Sequence, residues 1–149
     1  MTHDRTAARL ANEAWEALFR AQATMHRELM AHDVWDRLSP SEYGVLYALS
    51  AAPDGLRITE LSEDALLTQA GISRLVARLE GSGLLERVPD PDDGRASRVR
   101  LTPAGAAAQR HVGLRHGHHV AKIMTSTFSV EQLNQLRDLC QTLTESASS

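Results

Sequence analysis

The sequence predicts a mainly α-helical chain with one small β-hairpin, in the order of a winged helix-turn-helix with long helices at both ends. Apolar residues recur at helical spacing over most of its 149 residues, and capping residues stand before the helical runs. Two short runs, 84–88 and 97–101, instead have the composition of strands, with a stretch dense in turn formers between them. Because a helix–turn–helix comes directly before this hairpin, we expect the hairpin to form a wing.

Composition excludes several classes of protein. Apolar residues make up 42% of the chain and charged residues 23%, which is typical of a globular domain rather than a disordered one. The single cysteine rules out an intramolecular disulfide framework and a CxxC-type zinc ribbon. The sequence has no apolar run near the roughly 18 residues that span a bilayer, and its N-terminus lacks the hydrophobic region of a signal peptide. We therefore expect a cytoplasmic protein without a membrane partner.

The net charge of −3 argues weakly against a uniformly basic surface, but the basic residues are locally concentrated. Seven arginines fall between Arg74 and Arg110, against five acidic residues in the same stretch. This part of the chain can therefore carry a basic patch that the total charge conceals.

The helices before this stretch have clear start signals. The first is predicted over residues 6–31 and the second from Pro40, because Ser39 can cap it and Glu42 completes a capping box. The second helix ends before the turn formers at 53–55. One face of it carries Tyr43, Leu46 and Tyr47.

A helix-turn-helix follows. A short helix is predicted to begin at Thr59, and a longer one over residues 69–82 after a second cap at Thr68. Gly81 and Gly83 can end the longer helix. Its apolar side chains recur at the spacing of a buried helix face and are Ile72, Leu75, Val76 and Leu79.

The hairpin and the last two helices complete the chain. Val99 and Leu101 alternate with Arg98 and Arg100, so we expect one apolar and one cationic hairpin face. A long helix is predicted over residues 103–125, and the last helix begins after the cap at Ser129. The last helix carries an apolar face made of Leu133, Leu136, Leu139, Cys140 and Leu143.

The helix over 69–82 has side chains that suit a DNA major groove. The groove admits small residues near the helix N-terminus, hydrogen-bonding side chains and arginines. Ala70 and Gly71 permit close approach, while Gln69 and Arg74 can bond to base edges. An ordinary amphipathic helix with a solvated polar face would show the same pattern, so this helix alone leaves both interpretations open.

The most specific motifs lie between residues 39 and 105. They are Gly83-Leu84, Asp90-Pro91, Asp93, Arg95 and Leu101-Thr102-Pro103-Ala104-Gly105, with 58–61 and 71–76 in support. Together they resemble the MarR family of bacterial transcription regulators. Gly94 departs from the family pattern, in which many members carry a second basic residue.

The resemblance implies a homodimeric, sequence-specific regulator that reads a palindromic operator in double-stranded DNA and is released by a small-molecule effector. We expect a repressor, with an activator as the alternative. The resemblance also assigns Arg95 to the minor groove beside the major-groove site, and Asp93 to orienting Arg95. A narrow minor groove does attract arginine, because it concentrates negative potential. The predicted DNA-binding residues are Thr59, Thr68, Gln69, Ala70, Gly71, Ser73, Arg74, Arg78, Asp93, Arg95 and Arg98.

We predict one structural domain with three parts. Residues 1–38 form an N-terminal dimerisation helix, 39–103 the winged helix-turn-helix and 104–149 the C-terminal dimerisation helices. The apolar faces at both ends have no obvious partner within one winged domain, which favours pairing with a second copy of the chain.

Aromatic residues are candidates for an effector pocket. By resemblance, a small aromatic effector would bind between the DNA-binding region and the end helices. The candidates are Trp15, Phe19, Tyr43, Tyr47 and His111. Core packing is the alternative role for aromatic residues at helical spacing.

Sensing of metal or oxidants is a weaker alternative. In the histidine cluster of residues 111–119, His116 and His119 lie three residues apart, share a helix face and could bind Zn²⁺ or Cu²⁺ with a third ligand from elsewhere. No cysteine or carboxylate stands near them in the sequence to complete such a site. We therefore expect no metal site and no cofactor. Cys140 lies on the apolar face of the last helix, where a cysteine is usually an inert small hydrophobe.

Two other functions fit the sequence less well. An enzyme is not expected, because the sequence has no HExxH, GxSxG, P-loop or Rossmann fingerprint. A winged helix used for protein–protein contact would favour an acidic or apolar recognition face, whereas this one carries Arg74 and Arg78.

Overall fold

The computed structural model describes residues 2–64 and 69–149, and the side chains of residues 4–63 and 71–149. The chain divides into two compact units, one up to Asp33 and one from Val34 onward. Within the described residues the elements are α1 (Thr2–Met30), α2 (Pro40–Ser50), α3 (Ile58–Asp64), α4 (Gln69–Gly81), β1 (Leu85–Pro89), β2 (Ser97–Leu101), α5 (Pro103–Thr127) and α6 (Val130–Ala147). The predicted order of helices and hairpin is confirmed.

The first unit consists of α1, which begins four residues before the predicted start. Its first turn carries Asp4 and its last turn Arg27, so both charges complement the helix dipole. Ion pairs one turn apart, such as Arg20–Glu16 at 2.6 Å, support its exposed surface. Trp15 and Phe19 are each 62% exposed within this helix.

The second unit begins with α2, and its predicted capping box is present. The Ser39 hydroxyl accepts a hydrogen bond from the Glu42 backbone N–H at 3.1 Å, and the Glu42 carboxylate accepts one from the Ser39 N–H at 3.2 Å. The buried side of α2 contains Tyr43, Leu46 and other apolar residues, but Tyr47 is 62% exposed. Tyr43 and Tyr47 lie on one side of the helix, as predicted, with ring centroids 6.1 Å apart. Core packing, the alternative role for these aromatic residues, is wrong for Tyr47.

The core lies between α2, α3, α4 and the hairpin. Its fully buried members are Val45, Leu46, Leu49, Leu61, Ile72, Val76, Leu79, Leu85 and Val99. Leu75 was expected among them and is only partly buried at the edge of this cluster. Helix α4 ends at Gly81, and Gly83 follows with a φ of +76°. The N–H groups of Gly83 and Leu84 bond back to the carbonyls of Glu80 and Leu79, which is a Schellman motif.

Strands β1 and β2 pair antiparallel, with Leu85 opposite Leu101 and Arg87 opposite Val99. The segment before α3 also pairs with β2, through a single-residue antiparallel bridge. Leu56 exchanges two backbone hydrogen bonds with Val99 there, at 2.8 and 2.9 Å. Gly55 makes this approach possible. Its φ is +87°, and a Cβ there would lie 2.8 Å from the Val99 carbonyl oxygen.

The start of α5 is fastened to the end of α4. The Thr102 hydroxyl caps α5 by accepting from the Gly105 N–H at 3.0 Å, and it donates to the Gly83 carbonyl at 2.6 Å. The Thr102 N–H donates to the Leu84 carbonyl at 3.1 Å. The Leu-Thr-Pro-Ala-Gly motif thus joins the wing, the end of α4 and α5 at one point.

Helix α6 begins at its predicted cap, where Ser129 and Gln132 form a reciprocal capping box. Large apolar side chains on α6 are exposed, among them Leu139 at 69% and Leu143 at 48%. Neither α5 nor α6, nor any other helix within residues 2–64 and 69–149, is long and apolar enough to cross a membrane.

Candidate nucleic-acid interface

Helix α4 has one buried and one exposed face, as the sequence predicts. Ile72, Val76 and Leu79 are 0% exposed and pack into the core, which holds the helix in one orientation. The opposite side presents Ser73, Arg74, Ala77 and Arg78 to solvent. Small and cationic side chains together on a core-anchored helix have the chemistry that a major groove accepts.

Part of the predicted interface lies outside the described residues. Thr68 is not described, and Gln69 and Ala70 are described only by their helical backbone. Thr59 is exposed in the first turn of α3. Arg78 is 62% exposed and lies 3.7 Å from the Glu42 carboxylate, which links α4 to α2 without burying the guanidinium.

The wing consists of β1, β2 and the loop between them, residues 90–96. Asp93 accepts a hydrogen bond from the backbone N–H of Arg95 at 3.0 Å through Oδ1, so it shapes the loop backbone. Arg95 itself is exposed. Its guanidinium forms no ion pair with the described part of the chain, so its charge is available to a binding partner of the protein.

The other arginines of the hairpin are neutralised. Arg100 donates to Glu86 at 2.7 Å across the two strands, and Arg98 donates through Nε to Asp90 at 3.1 Å. The expected cationic face is therefore charge-paired, because the sequence placed acidic partners on the same surface. Arg98 is 22% exposed.

Asp90 anchors the loop of the wing. Its side chain is fully buried, and Oδ2 accepts from Nε of Arg57 at 2.6 Å as well as from Arg98. Its Oδ1 accepts from the N–H groups of Asp92 and Asp93 at 2.8 and 3.2 Å. The hydrogen bond from Arg57, with those from the backbone and Arg98, holds the pKa of Asp90 well below its usual range despite burial.

Sequence reasoning did not single out Arg57 or assign a role to Asp90. Asp90 belongs to the Asp-Pro motif, so its position was visible, but Arg57 lies 33 residues earlier in the chain. No periodicity or local spacing connects two residues that far apart.

An aromatic cluster lies beside a cavity in the second unit. The rings of Trp35, Tyr43 and His116 have centroid distances of 4.8 to 5.6 Å. A cavity of about 410 Å³ is lined by Tyr43, Tyr47, Gly113, His116, Gly117, Val120 and Ala121. Burial raises the pKa of Tyr43, whereas burial and then the neighbouring His119 lower the pKa of His116.

The predicted pocket residues are only partly brought together. Tyr43 and Tyr47 line the cavity, but His111 is exposed and is not among its lining residues. Trp15 and Phe19 belong to the first unit. His116, which the sequence suggested only as a weak metal ligand, lies in the cavity wall instead.

The residues considered for metal or redox sensing lie on α5 and α6. Among the described residues, no three or more histidine, cysteine or acidic side chains are grouped so that they could hold a metal ion. Cys140 is a half-buried free thiol on α6.

Comparison with known proteins places this arrangement among transcriptional regulators. The sequence model of the MarR family matches residues 38–96. Transcriptional regulator HosA of Escherichia coli O111:H- is 34% identical over 96 residues, covering 64% of this chain and 69% of HosA. The PcaV regulator of Streptomyces coelicolor, solved with its natural ligand, has a TM-score of 0.68 and 29% identity over 87% of this chain and 91% of PcaV.

A second Streptomyces coelicolor structure carries nucleic acid. Sco3205, a MarR family regulator solved in complex with DNA, has a TM-score of 0.71 and 27% identity over 88% of this chain and 86% of Sco3205. These relatives are regulators, which confirms the prediction that this chain is not an enzyme. With its winged helix, its motifs and these likenesses, the chain belongs to the MarR family of DNA-binding transcriptional regulators.

Proposed function

We propose that the protein is a homodimeric repressor that reads a palindromic operator with α4 and the wing. The observation that carries the proposal is the exposed face of α4, where Arg74 and Arg78 stand opposite a fully buried apolar face. The exposed Arg95 of the wing adds another cationic side chain, and no ion pair joins it to the described residues. Its DNA partner would be met in the cytoplasm.

The two cationic groups have different proposed roles. Arg74 projects from α4 and has the length and donor geometry to bond to a guanine edge in the major groove. Arg95 is held on a loop whose backbone is fixed by Asp93 and Asp90, which suits insertion into a minor groove. The first contact would read sequence, and the second would read groove shape and charge.

A binding experiment separates these roles. Duplexes selected by the wild-type protein from a random pool supply the operator probe. Arg74→Ala is expected to weaken binding to this probe by about 1–3 kcal/mol and to relax discrimination at one symmetric position. Arg95→Ala is also expected to weaken binding. Because one cationic contact is lost, the slope of log affinity against log salt concentration should become shallower by about one.

Arg137→Ala serves as the control, because Arg137 lies on α6, pairs with Asp138 and has no proposed DNA contact. If Arg74→Ala lowered the affinity of all duplexes equally, Arg74 would be a phosphate contact. If both variants bound the selected duplex like the control, α4 and the wing would not be the interface.

We further propose that an aromatic acid bound beside Tyr43 releases the DNA. Two observations support this ligand class. The 410 Å³ cavity is walled by aromatic rings and glycines, and a neighbouring cavity of about 300 Å³ that shares Tyr43 and Tyr47 is also lined by Arg110. Rings favour stacking with a flat ligand, and a guanidinium favours a carboxylate.

Filling the cavity tests the effector proposal. A Cβ at Gly117 would have nothing within 4 Å, so Gly117→Leu can occupy the cavity without displacing the core. Benzoate and larger aromatic acids are expected to release the selected duplex from the wild type and from Gly117→Ala, but not from Gly117→Leu, in fluorescence anisotropy titrations. An equal response of all three proteins, or of none to any acid tested, would contradict the proposal.

A further inference from the structure

The Asp90 carboxylate accepts hydrogen bonds from several parts of the structure at once. Within residues 4–63 and 71–149 it is the one buried charged side chain, and all four of its described hydrogen bonds come from the wing or from Arg57. Two of the donors are backbone N–H groups inside the loop. Whatever holds the Asp90 carboxylate in place therefore also holds the loop that carries Arg95.

Arg57 is the one member of this cluster that comes from outside the wing. It stands directly before α3, where its N–H donates to Glu60 at 3.1 Å and its carbonyl accepts from Leu61 at 3.1 Å. Its backbone is thus fixed by the helix start, and the adjacent Leu56 is fixed by its bridge to Val99. A guanidinium on so constrained a backbone has a defined position when it reaches Asp90.

We propose that Arg57 is a positioning residue for DNA binding: by holding Asp90, it sets the conformation of the loop that presents Arg95 to the minor groove. Arg57 acts through Asp90 and Arg95 and does not itself need to touch DNA. The inference rests on the proposed role of Arg95. It connects the helix-turn-helix to the wing, since Arg57 belongs to the first and Asp90 to the second.

A double-mutant cycle on the selected duplex tests this coupling. Arg57→Ala is expected to lower affinity about tenfold in the wild-type background but about twofold or less in the Arg95→Ala background, because the residue it positions is then absent. Hydroxyl-radical footprinting should show the same minor-groove protection lost in Arg57→Ala and in Arg95→Ala.

Arg100→Ala is the matched control. Arg100 lies on β2 of the wing, donates through Nε to a carboxylate at 2.7 Å and has a 44% exposed side chain. The corresponding values for Arg57 are 2.6 Å and 40%. Removal of Arg100 should change affinity about twofold or less and leave the footprint intact, since Arg100 does not contact Asp90. A loss equal to that of Arg57→Ala would show a general effect of charge and overturn the proposal.

The outcomes also separate this inference from the proposed function. If Arg95→Ala binds as the wild type, the role of the wing fails. If Arg95→Ala weakens binding but Arg57→Ala does not, only the positioning role fails. Equal losses from Arg57→Ala in both backgrounds, with the salt slope reduced by about one each time, would make Arg57 a phosphate contact and overturn the inference.

Thermal unfolding of each variant verifies that it is folded. If Arg57→Ala is not folded, Arg57→Gln takes its place in the cycle.

Discussion

Replacing Gly105 by alanine is expected to lower the free energy of unfolding by about 3 kcal/mol, although alanine is the better helix former. Gly105 lies in the first turn of α5 and is buried against the start of the wing. A Cβ there would overlap the Leu84 carbonyl oxygen and lie 2.9 Å from its carbonyl carbon. Because the obstacle is backbone, a rotamer change cannot relieve it, and α5 must move away from Gly83 and Leu84.

Thermal unfolding at a fixed protein concentration measures this effect, with an expected fall in Tm of roughly 10 °C. Gly117→Ala is the matched control in the same helix, because its Cβ would have nothing within 4 Å. That variant should be unchanged or stabilised by about 1 kcal/mol. A Gly105→Ala protein as stable as Gly117→Ala would show that α5 does not need this close approach.

If the protein is the proposed homodimer, glutamates at Leu139 and Leu143 are expected to convert it into folded monomers and to weaken binding to the selected duplex by about 10²–10⁴-fold. The two side chains are 69% and 48% exposed, so the monomer loses little internal packing when they change. They lie one turn apart on α6, and two charges there would have to be buried in a helix–helix interface. The affinity falls because a monomer contacts one half-site instead of two.

Light scattering and titration of the selected duplex measure the two effects. The control is the double variant Asn134→Glu, Gln141→Glu. Both residues are exposed, and these substitutions add the same charge on the other side of α6. The control should remain dimeric and bind as the wild type. A Leu139→Glu, Leu143→Glu protein that is still a dimer with full affinity would move the interface away from α6.

Interactions between residues close in the chain were predictable from the sequence. The capping boxes at Ser39 and Ser129 and the cap at Thr102 join residues three apart, so residue types and spacing suffice to predict them. The buried face of α4 follows from helical periodicity in the same way. Periodicity does not say where a buried face ends, however: Leu75 of α4 is only partly buried at the edge of the core, and Tyr47 of α2 is exposed.

Helix rotation explains why one pocket residue was misplaced. His111 and His116 are five residues apart on α5, which corresponds to a rotation of about 140° around the helix axis. The sequence offered both histidines, but the face of α5 that meets Tyr43 is decided by packing against α2. Contact between the His116 and Tyr43 rings, at a centroid distance of 5.5 Å, is a consequence of that packing.

The sequence by itself determined the order of the elements, the capped starts of α2, α5 and α6, the family and the arginines of α4 and the wing, because each depends on local pattern or motif. Only the tertiary structure decided which arginines keep a free charge. Arg98 and Arg100 lie opposite acidic groups, whereas Arg95 does not within the described residues. A long charged side chain pairs with an opposite charge that the fold brings within its reach. Arg57 and Asp90 are 33 residues apart in the chain, and they meet because α3 and the wing pack on the same core.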